Sequence, residues 1–124
     1  MSRRPPKKRL DYMAQADVLF SKFIRTRDEF CWNCQGNAYL QCGHLISRSY
    51  RSIRTNPDNA VALCRRCHVY FTHRPLEWRE QVERWFPGRW DELKTQALRY
   101  ERVDWRAEVR KLKESVGSVV EGEK

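Results

Sequence analysis

Two Cys-x-x-Cys pairs constrain this chain more than any other feature. Cys31 and Cys34 form the first, Cys64 and Cys67 the second, with 29 residues between the pairs. A Cys-x-x-Cys turn offers two sulfurs from one tight loop, and four thiolates complete the tetrahedral shell that zinc favours. Such a shell has no open position, so the ion it implies is structural. Iron suits the same sulfurs, but zinc is the expected ion. A fifth cysteine, Cys42, is left over, and the basic N-terminus is not followed by the apolar segment of a secretory signal. An odd cysteine count without such a signal favours metal binding in a reduced compartment over a disulfide framework. The metal also offsets size: at 124 residues the chain reads as one compact unit with appendages, and ion binding adds directly to its folding free energy.

The net charge of +9 is uneven. Residues 1–10 contribute +5, 11–43 contribute −1, 44–74 contribute +5 and 75–124 contribute 0. The excess therefore lies in an N-terminal arm and around the second cysteine pair. A polyanion such as nucleic acid is the natural partner of that distribution. Uniform surface solvation would not leave the last fifty residues neutral. No apolar run is long enough to span a bilayer. No membrane association is expected.

Along the chain, residues 1–9 read as a disordered basic arm, since Pro5-Pro6 blocks a helix. Residues 10–30 hold an N-terminal helix over 10–26. Met13, Ala16, Leu19, Phe20, Phe23 and Ile24 form one apolar stripe along it. Residues 31–74 form a zinc-stapled module: a knuckle at 31–34, a strand at 38–42, a loop at 46–58, a strand at 59–63, a knuckle at 64–67 and a helix to about His73. Pro75 closes that helix. Residues 75–124 form a helical extension, with helices over 76–86 and 90–100 and a third capped by Asp104. Its tail should fray from Gly117. Four of the five tryptophans lie here (Trp78, Trp85, Trp90, Trp105) and read as core anchors. The fold class is small α+β.

All three histidines lie between 44 and 73. Fourteen residues separate His44 from Asn59 and eight separate Asn59 from His68. This spacing resembles the HNH nuclease signature on a ββα-metal, treble-clef-like fold. The text Phe20-Ser-Lys-Phe-Ile-Arg-Thr-Arg-Asp28, followed by Gly43-His44-Leu-Ile-Ser-Arg48, is similar to the phage NinG (Rap) recombination proteins, over about residues 18–95.

The resemblance implies a metal-dependent endonuclease acting on branched or recombining DNA in the cytoplasm, that of a bacterial host if the chain is phage-encoded. It implies His44 as general base, Asn59 as the residue that holds the loop and orients His44, and His68 as ligand of a catalytic Mg2+ or Mn2+. Arg48, Arg51, Arg54, Arg65 and Arg66 would hold phosphates. One metal on one strand implies nicking, so a double cut needs two sites, which a homodimer would supply. One position departs from the usual pattern. Where most such sites carry Asp, Glu or His before the base, this chain has Gly43. Asp58, Cys42 and His73 are the candidates for the missing ligand. Two other readings stand beside the nuclease: a non-catalytic zinc module that binds DNA as a recombination accessory, favoured by Gly43, and a protein–protein adaptor using the neutral helical extension.

Overall fold

The computed structural model describes residues 11–122, with side chains described to Gly117. The basic arm at 1–9 lies outside the described residues. Five α-helices and one two-stranded sheet make up the described chain: α1 (Tyr12–Asp28), β1 (Leu40–His44), β2 (Ala60–Cys64), α2 (Arg65–Thr72), α3 (Pro75–Trp85), α4 (Arg89–Ala97) and α5 (Trp105–Gly122). This is the expected α+β class, with hairpin and α2 forming the ββα unit.

Local chemistry sets the boundaries. The Asp11 carboxylate accepts from Ala14 N–H and starts α1 two residues later than expected, at Tyr12. The first strand begins at Leu40 rather than at 38, because Tyr39 sits at φ 53°, the left-handed region, and turns the chain. Cys64 caps α2: its Sγ accepts from Cys67 N–H, so the second knuckle and the helix start share one geometry. Pro75 opens α3, where its missing N–H goes unneeded. Asp104 caps α5 through Ala107 N–H, as expected. The same helix continues to Gly122, past the point where fraying was expected. One glycine in a helix costs about 1 kcal/mol, too little to end one that is packed along α1.

The hairpin lies between two cores. β1 and β2 are antiparallel, with His44 opposite Ala60 and Gly43 opposite Val61. All five residues of β2 except Cys64 are buried. Period-two alternation sends Val61 and Leu63 toward Phe71, Trp78, Val82 and Leu93 on one face. It sends Ala60 and Ala62 toward Phe20, Ile24, Val109 and Leu112 on the other. The two alanines leave room for α1 to lie close against the sheet. Phe20 and Ile24 are at most 1% exposed, and each such burial stabilises by about 1.5–3 kcal/mol. Trp78 anchors the opposite core and donates from Nε1 to Leu45 O.

The outer edge of β2 is closed by the end of α1. Arg27 donates to Pro57 O and Ala60 O, and the Asp28 carboxylate accepts from Ala62 N–H at 2.8 Å. Trp32 N–H donates to Ala62 O. An unpaired strand edge is thereby satisfied without a third strand. Asp28→Ala should lower the unfolding free energy by about 2 kcal/mol, because it orphans the buried Ala62 N–H and removes the carboxylate that pairs with Arg27. A urea midpoint that falls at unchanged slope, in zinc-saturated protein, is the expected result. An unmoved midpoint would show that the edge needs no carboxylate.

Candidate metal centre and hydrolytic cleft

The four knuckle sulfurs, of Cys31, Cys34, Cys64 and Cys67, lie within 4.8 Å of one another. Cys34 Sγ and Cys64 Sγ are 3.7 Å apart. Zinc–sulfur bonds of about 2.3 Å in a tetrahedron place their sulfurs about 3.8 Å apart, so the cluster has the dimensions of a zinc shell. Backbone donors support thiolate character: Cys34 N–H reaches Cys31 Sγ, Gly36 N–H reaches Cys34 Sγ and Cys67 N–H reaches Cys64 Sγ. Asn33 Nδ2 donates to Cys67 Sγ at 3.3 Å. Burial pushes the Cys31 thiol up, yet backbone N–H groups outweigh it and bring it to about 7. Burial pushes Cys67 up to about 12, and the neighbouring cysteines add to the rise. With all four deprotonated, the sulfurs would need a cation among them. The donor set fits a structural zinc ion, and it is the one such cluster among the described residues.

Cys42 stands apart. It packs against the α1 side of the sheet, and burial pushes its thiol up to about 12. It adds no ligand to the four, and it borders the cleft that His44 and His68 line.

His44 and His68 open onto one cleft of about 810 Å3 at the free edge of β1. Adjacent positions on a strand point to opposite faces. His44, last in β1, turns toward α1, where its ring lies 5.6 Å from that of Phe20. Gln41 and Gly43 turn toward α2 and His68. The cleft thus wraps around the strand edge, with one histidine on each side.

Each ring has its tautomer set by a fixed acceptor. His44 Nε2 lies 2.8 Å from Arg54 O. A carbonyl only accepts, so Nε2 carries the proton and Nδ1 the lone pair. His68 Nδ1 donates to Gln41 Oε1 at 2.7 Å, which leaves the lone pair on Nε2. Burial lowers the pKa of both rings below the ordinary histidine value. Both shifts favour the neutral ring.

Asn59 lies outside the cleft and is completely buried. Its Oδ1 accepts from Ile46 N–H, and its Nδ2 donates to Ile46 O and Ile53 O. Its backbone O accepts from Leu45 N–H. It holds the two ends of the loop that delivers the Arg54 carbonyl to His44, and makes no bond to His44 itself.

Other expected residues are not brought together. His73 caps the C-terminus of α2, exposed and away from the cleft lining. Five residues along a helix turn it off the face of His68. Asp58 is exposed and faces Arg89 at 3.9 Å. Of the arginines, Arg48 lines the cleft and is 60% exposed. Arg51, Arg65 and Arg66 are exposed outside it. Arg54 is not free for phosphate: its guanidinium is 12% exposed and locked to Asp17. Gly43 is a packing requirement. A Cβ there would lie 2.7 Å from Leu63 Cδ1 and 3.1 Å from its Cγ, and Leu63 is 1% exposed. A ligand side chain at this position would have to displace the core.

Two residues that contact the cleft histidines or their support, Gln41 and Asp17, escape the sequence reading. Gln41 is signalled only by alternation with Gly43 on the face of β1 toward α2. Asp17 is signalled only as an acid at the margin of an apolar helix stripe. The zinc content of purified protein should be one ion per chain. Chelation, or Cys64→Ser, should abolish the near-ultraviolet circular dichroism of the packed tryptophans. Retention of that signal in zinc-free protein would contradict a scaffold role.

No curated protein and no solved structure matches the chain. Residues 30–74, which hold both cysteine pairs, the hairpin and α2, match the family model described as HNH endonuclease, and the four-cysteine cluster in this stretch is consistent with a zinc module of that type.

Proposed function

We propose that this protein is a metal-dependent DNA endonuclease with His44 as its general base. The observation that carries this reading is that His44 and His68 line one cleft. The bond to Arg54 O leaves the His44 lone pair on Nδ1, and the bond to Gln41 Oε1 leaves that of His68 on Nε2.

Phosphodiester hydrolysis needs a base for the attacking water and charge neutralisation at the leaving oxygen. In this reading His44 serves as the base. Its proton on Nε2 is held by a carbonyl, so the ring takes a further proton only at Nδ1. The Arg54 carbonyl then faces an imidazolium, which it stabilises. In this reading His68 holds a divalent cation by Nε2, and its Nδ1 bond to Gln41 Oε1 fixes the ring and keeps the lone pair on Nε2. Mg2+ or Mn2+ bound there would supply positive charge at the leaving 3′ oxygen. Such ions keep several waters and take substrate phosphate oxygens as ligands, which fits a site with few protein ligands. Arg48 at the cleft and the exposed Arg51, Arg65 and Arg66 offer charge to the flanking phosphates. The products would be 5′-phosphate and 3′-hydroxyl ends. The NinG-like text supports branched or recombining DNA as the substrate and a cytoplasmic setting. No helix among the described residues is long and apolar enough to cross a membrane. Cutting both strands of a junction would take two copies.

A second reading, a zinc-stabilised DNA binder without catalysis, draws on Leu63, which fills the space a ligand at position 43 would use. Incubation with a synthetic four-way junction and with linear duplex, with and without Mg2+ or Mn2+, separates the two. The nuclease nicks the junction in a metal-dependent way, and His44→Ala reduces the rate by about 10²–10⁴-fold. Equal trace cleavage by both proteins would remove His44 as base. Tight, salt-dependent binding without cleavage would establish the binder.

The pH profile supplies another expectation. A base must be unprotonated, and burial lowers the His44 pKa. At saturating metal, kcat/KM should therefore rise with pH through an inflection below about 6.5 and be flat from about pH 7 upward. An inflection above 7 would contradict a desolvated neutral base.

A further inference from the structure

We propose that Asp17 is a positioning residue for His44, acting through Arg54. The inference rests on the reading of His44 as the base, and its test is chosen to stand apart from that reading.

The connection is a chain of short contacts from α1 to the imidazole. Asp17 Oδ1 accepts from Arg54 Nε at 2.8 Å and Oδ2 accepts from Arg54 Nη2 at 2.6 Å. This two-point fork fixes the plane of the guanidinium. The third arm, Arg54 Nη1, donates to Arg48 O at 3.2 Å. Arg54 therefore joins α1 to both ends of the segment 48–54. Its own backbone carbonyl receives His44 Nε2–H. The acceptor that selects the His44 tautomer thus belongs to the residue that Asp17 anchors. Phe20, one helical turn beyond Asp17, lies against the other side of the same ring. α1 consequently sets both the in-plane partner and the packing surface of the base.

Charge explains why an acid is used in a cleft that otherwise favours polyanions. His44 is faced by Asp17 from α1 and by Arg48 and Arg54 from the loop. Two guanidinium groups beside an imidazole oppose the positive charge it gains on taking a proton from water. Asp17 offsets that opposition and lies 3.7 Å from Arg48 as well. Asp17 carries the wrong sign for a phosphate contact. Its contribution should therefore appear in kcat and not as affinity for DNA.

The experiment uses full-length, zinc-loaded protein and the variants Asp17→Asn and Arg54→Lys, with folding checked by zinc content and tryptophan circular dichroism. Imidazole 15N shifts are recorded first, without DNA or a second metal. Wild type should show His44 wholly as the Nε2–H tautomer, and both variants a mixture. Nicking of a four-way junction is then measured. Each variant should lose about 10–100-fold in kcat, while KM for DNA is unchanged in Arg54→Lys and unchanged or lower in Asp17→Asn, where a negative charge has left the cleft. The double variant should be no worse than the poorer single one, since the two residues act as a unit. A His44 that stays wholly Nε2–H in both variants overturns the proposal. So does recovery of Asp17→Asn at high Mn2+, which would make Asp17 a metal ligand. If wild type does not cut DNA at all and the tautomer still shifts, the positioning role stands and the nuclease reading falls. Should one variant fail to fold, the other decides.

Discussion

Four sulfurs drawn from two knuckles fix where everything else can go. They join the turn after α1 to the junction between β2 and α2, and so hold one end of the hairpin against its own helix. Cys64 makes the economy of this visible, since the same Sγ that belongs to the metal cluster also caps α2. With that corner fixed, the face of β1 that carries Gln41 meets His68, and the strand end that carries His44 emerges at the far side. A two-stranded hairpin is marginal alone. Here it is buried on both faces, by α1 and α5 on one side and by α2, α3 and α4 on the other.

His44 depends on a loop with only two short 3-10 turns, Arg51–Ile53 and Pro57–Asn59, and the molecule holds that loop from several sides. Asn59 closes its two ends. Ser52 and Asn56 bond Gln96 on α4, and Thr55 bonds Glu108 on α5. Arg54 bonds Asp17 on α1. This gives the helical extension a purpose that its neutral charge conceals. It is the frame on which the His44 acceptor is mounted, and an adaptor role is not needed to account for it.

The cysteine spacing made the four-sulfur cluster legible in the sequence, because it depends on two-residue turns, while the histidine spacing pointed to two rings that line one cleft and not to the place of Asn59 outside it. The helices were legible from apolar periodicity and from Asp104 and Pro75. What stayed hidden were pairings across the fold. No local pattern says that Gln41 fixes the His68 tautomer or that Asp17 fixes Arg54, since these partners are separated by 27 and 37 residues. The same limit misdirected His73, close in sequence to His68 but turned away from it, and Arg54, a basic residue that reads as phosphate-binding until its acid partner is seen. Gly43 looked like a missing ligand. It is better explained by Leu63, whose side chain fills the space beside it.

The central claim is a division of labour, with the cysteine cluster as scaffold and the His44–His68 cleft as the working site. Titration of zinc-loaded protein with Mn2+, followed by paramagnetic broadening of the three histidine rings, tests it most directly. The account predicts that His68 broadens first, His44 next and His73 least, with the zinc retained. Broadening centred on His73, or Mn2+ entering only by displacing zinc from the thiolates, would contradict it.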